Sequence, residues 1–237
     1  MNIGLGAELT WLGHAAFKIE TPDGNVTLID PWLTGNPACP DEARRVQRCD
    51  TILITHGHAD HVGDTMDIAR RTGATVIAMV EIAEWLSGKG VRNVVGMNKG
   101  GTVGFGNCRA TMVHAYHSSS IRDGDRSLYG GEAAGFVVTL PNGAPVYHAG
   151  DTNVFGDMKL IGELYKPILA LLPVGGHYTM SPQEAAMAVR LLGVQHVVPM
   201  HHGTFAVLSG TPAELADLLE DRPDVTVHAL RPGESLS

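Results

Sequence analysis

The chain of 237 residues predicts a mixed α/β fold, and three features of its pattern indicate this class. Short β-branched runs separated by turn residues fill the N-terminal part. In the C-terminal third, apolar runs of strand length alternate with amphipathic segments that open on helix-capping signals. No linker or low-complexity segment interrupts the sequence, so residues 1–237 are predicted to form one domain.

The N-terminal half is predicted to be mainly β-structure. An antiparallel meander is expected from Glu8 to Asp30, because its β runs are divided by turn residues. Further helices are expected at 41–46, from His61 to Arg71 and at 81–87. Further strands are expected at 51–54, 75–79, 93–97, 102–105 and 109–114.

The segment from Ser118 to Gly135 is polar and rich in glycine, and it is predicted to be a long loop that covers the functional site as a lid. Regular structure then resumes. Strands are expected at 136–140, 145–148, 168–172, 196–200 and 225–230. Three helices are expected in this part. The first spans 158–165, the second begins with a capping box at 181–184 and is closed by Gly193, and the third begins with a capping box at 211–214.

Composition narrows the class of protein. A hydrophobic content of 44% is ample for a core, and a formal net charge of −8 disfavours non-specific binding to nucleic acid. The three cysteines form no Cys-x-x-Cys pair, which argues against disulfides and thiolate zinc sites and favours the cytoplasm. No apolar run is long enough to cross a membrane. The expected partner is a small-molecule substrate, and a homo-oligomer is a further expectation.

The stretch from Thr55 to His61 is the strongest functional signal. His56, His58, Asp60 and His61 directly follow a buried apolar run, so they are placed on a loop between a strand and a helix. Imidazole nitrogen and carboxylate oxygen are preferred ligands of zinc and related ions. A solvated polar loop is the alternative, but it gives no reason for this order of residues.

Four other places put a metal-competent side chain at a predicted strand end: His14, His117, Asp151 and the pair His201 and His202. Strand ends that face one edge of a sheet can share a site with the central loop. Adjacent residues in an extended strand point to opposite sides, so only one histidine of the pair is expected to bind metal. The remaining histidines divide into two groups. Structural positions are expected for His114, His196 and His228, whereas substrate contact and support of the ligands stay open for His14, His148 and His177.

These motifs resemble, in order, those of the metallo-β-lactamase superfamily, and within it the metal-dependent hydrolases related to ascorbate-6-phosphate lactonase. The matching stretches are Trp11 to His14, Thr55 to Asp64, Tyr116 to Ser120, Tyr147 to Thr152, Leu172 to Gly175, Tyr178 to Met180 and Pro199 to His201. The resemblance covers nearly the whole chain. It implies a four-layer αβ/βα sandwich in which two mixed sheets face each other, helices lie outside, and a dinuclear site lies along one edge.

The resemblance also implies a ligand set for two divalent ions, with zinc expected first and manganese, iron or nickel as alternatives. The first ion would be bound by His56, His58 and His117. The second would be bound by Asp60, His61 and His201, and Asp151 would bridge both. Two ions roughly 3.5–4 Å apart lower the pKa of a shared water from about 15.7 towards 7. Asp60 would orient the resulting hydroxide and take its proton.

Three other residues receive roles. Asp30 resembles a carboxylate that holds a ligand imidazole in one tautomer, and a turn-forming residue before Pro31 is the alternative. His177 would contact the substrate, and His202 would face it or donate a proton. The catalytic residues expected from the sequence are thus Asp60, His177 and His202.

The leading prediction is a metal-dependent hydrolase that acts on a small ester, lactone or phosphodiester. An iron-dependent oxidoreductase of the same fold is one alternative, since histidine and aspartate suit iron as well as zinc. A nuclease or phosphodiesterase is another, although the chain has an acidic balance and no cluster of lysine and arginine. A metal-binding scaffold without activity is the last, and it would leave Asp60 without a function.

Overall fold

A computed structural model covers residues 1–237. It contains two seven-stranded sheets, which face each other across an apolar core. The strands in chain order are β1 (Glu8–Trp11), β2 (Phe17–Glu20), β3 (Val26–Ile29), β4 (Thr51–Leu53), β5 (Thr75–Met79), β6 (Val94–Met97), β7 (Thr102–Phe105), β8 (Cys108–His114), β9 (Ser120–Asp123), β10 (Arg126–Tyr129), β11 (Ala134–Thr139), β12 (Pro145–His148), β13 (Leu169–Pro173), β14 (His196–Met200), β15 (Thr226–Val227) and β16 (Ser235–Leu236). The helices are α1 (Ala59–Val62), α2 (Thr65–Thr72), α3 (Val80–Gly88), α4 (Met158–Tyr165), α5 (Pro182–Leu192) and α6 (Pro212–Asp217).

Both sheets are mixed. The first has the strand order β16-β1-β2-β3-β4-β5-β6, and the second has the order β15-β14-β13-β12-β11-β8-β7. The predicted meander is confirmed, because β1, β2 and β3 pair antiparallel. From β3 to β6, and from β12 to β15, neighbouring strands are parallel. The carboxyl ends of these parallel strands therefore meet at one edge of the sandwich.

The inner faces of the two sheets share one core, in which Phe17 and Ile52 of the first sheet belong to the same buried cluster as Phe136 and Leu171 of the second. Helices α2 and α3 pack on the outside of the first sheet. The outer face of the second sheet forms a separate apolar cluster with α4, α5 and α6. This arrangement confirms the four-layer αβ/βα sandwich. None of the six helices combines the length and apolar character needed to span a bilayer.

Two helix starts follow from local sequence chemistry. At α5 the Ser181 hydroxyl accepts from the Glu184 amide, and the Glu184 carboxylate accepts from the Ser181 amide. The same reciprocal pair joins Thr211 and Glu214 at α6. Both predicted capping boxes are confirmed, and α5 ends at Gly193 in a left-handed conformation as expected.

The predicted long loop from Ser118 to Gly135 is wrong. It contains the hairpin β9–β10, whose two-residue turn has Gly124 at a φ of 60°, and β11 already begins at Ala134. Each hairpin strand has one apolar side chain that packs with the core, Ile121 in β9 and Leu128 in β10. The alternation of apolar and polar residues is therefore too weak to indicate a strand from the sequence. The hairpin packs against the histidine loop, and a Cβ on Gly57 would lie 2.9 Å from Ile121. This segment supports the loop from behind instead of covering the site as a lid.

Other boundaries also differ from expectation. Residues 41–46 form turns without a helix, and the last predicted strand, 225–230, is reduced to β15. The helix after His61 is interrupted at Gly63, which adopts a φ of 42° and would place a Cβ only 2.4 Å from the Trp32 Cα. The close approach of the Pro31–Trp32 backbone therefore requires glycine at this position and separates α1 from α2.

Candidate metal centre

The predicted ligands all lie at the edge where the strands end, on loops except for Asp60 and His61, which lie in α1. The central loop follows β4, and the other donors lie on the loops after β1, β8, β12 and β14. The donors reach this edge together because the strands that precede them run in the same direction. The structure brings six of the seven predicted ligands into two adjoining groups and places the seventh, Asp151, between them.

The first group consists of His56, His58 and His117, whose ligand atoms lie within 4.8 Å of one another. The Nε2 atom of His56 lies 3.0 Å from the Nδ1 atom of His58. The other ring nitrogen of His58 lies 3.3 Å from the Ser118 hydroxyl, to which it can donate. His58 therefore presents Nδ1 to the centre of the group, whereas His56 presents Nε2.

The second group contains the expected Asp60, His61 and His201 together with His14, again within 4.8 Å. His61 and His201 are buried, while 29% of the Asp60 side chain is exposed. The Nε2 atoms of both buried histidines have no hydrogen-bond partner in the protein, although unsatisfied buried polar atoms are costly. A bound cation would satisfy them.

Asp151 lies between the two groups. Its Oδ2 atom is 3.1 Å from the Nε2 atom of His201 and 3.3 Å from that of His61, both in the second group. The same oxygen is 3.6 Å from the Nε2 atom of His117 and 3.9 Å from that of His56, both in the first group. Its Oδ1 atom is buried without a partner. This carboxylate is therefore placed to contact a cation in either group, and the donor set fits two divalent ions.

Asp30 selects the ring nitrogens that face the centre. It accepts hydrogen bonds from the Thr55 hydroxyl at 2.6 Å and from the His61 Nδ1 atom at 2.8 Å. Because the Thr55 proton is used on Asp30, the Thr55 oxygen accepts from the His56 Nδ1 atom at 3.0 Å. These bonds leave Nε2 of both histidines free to bind a cation, which is the supporting role that the sequence had left open for Asp30.

Burial and neighbouring charges shift the site's pKa values in opposite directions. Burial lowers the pKa of His56, His58 and His117, so these rings stay neutral and able to bind cations. Burial alone would also lower the pKa of His61, yet the carboxylates of Asp151 and Asp30 raise it well above its usual range. The two carboxylates therefore favour a positive charge at this position, either a proton on His61 or a bound cation.

His14 is the member of the site that the sequence did not assign. Its Nε2 atom lies 3.0 Å from Asp60 Oδ2, and its Nδ1 atom lies 3.1 Å from the Thr204 hydroxyl. Burial lowers its pKa to about 4, so the neutral ring donates from Nε2 to Asp60 and accepts at Nδ1 from Thr204. The His14 carbonyl also accepts from the His201 amide at 3.0 Å. His14 thus contacts two predicted ligands of the second ion.

The remaining histidines lie outside the two groups. His148 is buried, donates to the Ala15 carbonyl at 3.0 Å and accepts from the Gly150 amide at 3.1 Å, so both ring nitrogens are used in the fold. His177 is exposed beside Tyr178, and the His202 ring packs on Trp11 at a centroid distance of 5.3 Å. Neither lines the cavity in front of the ligands. Their predicted catalytic roles stay predictions.

The histidines that were expected to be structural are also outside the site. His114 is exposed on β8. His196 begins β14, His228 directly follows the neighbouring strand β15, and their ring nitrogens lie 3.1 Å apart. The sequence did not indicate this pairing, because 31 residues separate the two.

An αβ/βα sandwich with this histidine and aspartate cluster at its edge defines a class of metal-binding proteins, and comparison with known proteins identifies the family. The sequence-family model described as the beta-lactamase superfamily domain matches residues 25–202 of this chain. A UPF0173 metal-dependent hydrolase from Koribacter versatilis is 51% identical over 98% of both chains. A second, from Rubrobacter xylanophilus, is 52% identical over 98% of this chain and 96% of its own.

A solved structure of similar length shows the same fold. Igni18, described as a novel metallo hydrolase from the hyperthermophilic archaeon Ignicoccus hospitalis, has a TM-score of 0.85 and is 39% identical over 97% of both chains. The present chain belongs to the beta-lactamase superfamily and, within it, to the UPF0173 family of metal-dependent hydrolases. The resemblance inferred from the motifs is confirmed.

Proposed function

We propose that this protein is a hydrolase that uses two divalent metal ions to cleave a small ester, lactone or phosphodiester with water. The observation that carries the proposal is the position of Asp151. Its Oδ2 atom lies within 3.9 Å of imidazole nitrogens from both histidine groups. The names of the UPF0173 relatives, which are metal-dependent hydrolases, support the same reaction class.

The ligands proposed for the first ion are His56, His58 and His117. Those proposed for the second are Asp60, His61 and His201, with Asp151 shared. When bound, two divalent ions would lower the pKa of a shared water from about 15.7 towards 7 and polarise the carbonyl or phosphoryl oxygen of the substrate. Zinc suits these nitrogen and oxygen donors best, and manganese, iron and nickel suit them too. The buried, unpaired cysteines support a proposed cytoplasmic location.

Asp60 is proposed as the group that moves the proton. Its Oδ2 atom accepts from His14 at 3.0 Å, which fixes the carboxylate and leaves Oδ1 to accept a proton from the attacking water. Asp60 is also the more open of the two ligand carboxylates that line the cavity, since 29% of its side chain is exposed against 3% of that of Asp151. For an ester, the water oxygen bonds to the acyl carbon, the bond to the alcohol oxygen breaks, and that oxygen takes the proton from Asp60.

The test uses protein loaded with zinc, manganese or iron and assayed on lactones, carboxylic esters and phosphodiesters. We expect one class to turn over, and we expect Asp60→Asn to reduce kcat by about 10²–10⁴-fold with both ions retained at saturating metal. Asp67→Asn is the matched control, because Asp67 is 70% exposed on α2 and pairs only with Arg71. Absence of turnover with every metal, or full activity of Asp60→Asn, would contradict the proposal.

A further inference from the structure

The candidate metal centre opens into a cavity of about 620 Å³. Five proposed ligands form its polar floor: His58, Asp60, His117, Asp151 and His201. The rest of the lining consists of Trp32, Ala59, Ser118, Tyr178 and Phe205. Apart from the floor, then, the cavity offers a substrate mostly apolar and aromatic surface, with the hydroxyls of Ser118 and Tyr178 as its polar groups.

The aromatic wall, which we define as Trp32, Tyr178 and Phe205, is open to solvent. Tyr178 is 56% exposed and Phe205 is 39% exposed. The Trp32 and Phe205 ring centroids lie 5.8 Å apart, and both rings also contact His14 edge-on at 5.1 and 5.5 Å. Trp32 and Phe205 are thus held against the residue that supports Asp60, and the wall leaves apolar area that a bound molecule can bury.

The charges around the cavity disfavour an anionic substrate. None of the ten lining residues is a lysine or an arginine. Two divalent ions would bring four positive charges, and three of these are offset by the carboxylates of Asp30, Asp60 and Asp151. At most one positive charge is left for the nucleophile and substrate together. A phosphodiester anion would therefore lose its hydration without gaining a side-chain cation as a partner. A neutral carbonyl compound carries no charge that has to be desolvated.

We propose that the substrate is a neutral ester or lactone with an aliphatic or aromatic substituent, and that the aromatic wall binds this substituent. The inference rests on the proposed function, and it selects carbonyl substrates over phosphodiesters within it. Hydrolysis converts such a molecule and one water into an alcohol and a carboxylic acid, or into one hydroxy acid when the ester is cyclic. Each buried methylene is expected to raise kcat/KM roughly fourfold until the wall is covered.

The experiment measures hydrolysis by the metal-loaded protein of γ-lactones with alkyl substituents of increasing length, together with bis(p-nitrophenyl) phosphate. We expect kcat/KM to rise with chain length and to exceed that for the diester. Phe205→Ala should flatten the dependence on chain length, and Phe205→Leu should restore part of it. Val207→Ala is the matched control, because Val207 is 46% exposed in the same loop and does not line the cavity.

Binding is measured separately by calorimetry with 2-alkylcyclopentanones, which water cannot hydrolyse. Affinity that rises with chain length in the wild-type protein but not in Phe205→Ala supports binding of the substituent by the aromatic wall, even if no ester, lactone or diester is turned over. Absence of all turnover would contradict the hydrolase proposal and leave this binding role of the wall standing. Turnover of the diester without turnover of any lactone would overturn the inference and leave the hydrolase proposal standing. Equal binding of short and long ketones would also overturn it.

Discussion

Replacing His14 with asparagine should weaken binding of the second ion without affecting the first. The His14 ring donates to Asp60 at 3.0 Å and is the ring nearest to His201, with centroids 3.8 Å apart. Asparagine is too short to reach Asp60, but it tolerates the left-handed backbone that gives His14 a φ of 54°. The substitution therefore removes the ring contacts while allowing the carbonyl of residue 14 to keep its bond to the His201 amide.

The size of the effect follows from the contacts that are lost. Partners that orient a metal ligand typically contribute about 10–100-fold to affinity, so the dissociation constant of the second ion should rise by that factor. Loss of the buried bonds to Asp60 and Thr204 should also lower the free energy of unfolding by about 1–3 kcal/mol. The first ion should bind as before, because none of its three histidines contacts His14 through a hydrogen bond.

His148→Asn is the matched control. His148 is as deeply buried as His14 and also has both ring nitrogens bonded, but to the backbone of Ala15 and Gly150. Zinc affinities would be measured by competition with a chromogenic chelator, and stability by urea denaturation of the metal-free proteins. Both variants should lose stability, and only His14→Asn should lose affinity for the second ion. Equal affinity losses in the two variants, or none in His14→Asn, would refute the reasoning.

Asp151→Ala should lose both ions by metal analysis, because its Oδ2 atom lies within 3.9 Å of both histidine groups; full metal content would leave this carboxylate a structural role only. His201→Ala should lose the second ion while His202→Ala keeps both, and the opposite pattern would reverse the assignment. Metal uptake should release protons and tighten as pH rises through neutrality. The reason is that Asp151 and Asp30 raise the pKa of His61 against the effect of burial, so the proton on His61 must leave before the ring can bind a cation. A pH indicator would follow this release, and metal uptake without proton release would contradict the prediction. Burial raises the pKa of the three cysteines to about 11 or 12, so they should resist a thiol reagent at about pH 8 until urea unfolds the chain, and rapid labelling of the native protein would count against this.

The sequence alone determined the features that depend on near neighbours in the chain. The residues from His56 to His61 follow β4 as predicted, because a short apolar strand and the residues after it are local signals, although the helix begins at Ala59, earlier than expected. The capping boxes at Ser181 and Thr211 formed for the same reason, since their hydrogen bonds span only three residues. The overall sandwich was predicted through the resemblance of several motifs, which extend along the whole chain.

Weak local patterns misled the prediction. The hairpin β9–β10 has one inward apolar residue per strand, so its sequence reads as a polar loop until the pairing is seen. Strand β16 was not predicted, because it has two residues and pairs with β1, more than 200 residues away in the chain. Such strands form when the rest of the fold supplies a strand to pair with, and their own local sequence does not predict them.

Only the tertiary structure decided which of the histidines left open by the sequence contacts the predicted ligands. His14 follows the short strand β1 and His148 ends the short strand β12, and both lie near glycine and are equally buried. His14 meets Asp60, 46 residues away, and Thr204, 190 residues away, whereas His148 bonds to the backbone that surrounds it. Residue type and spacing cannot separate these outcomes, because they depend on which loops the two packed sheets bring to the same edge.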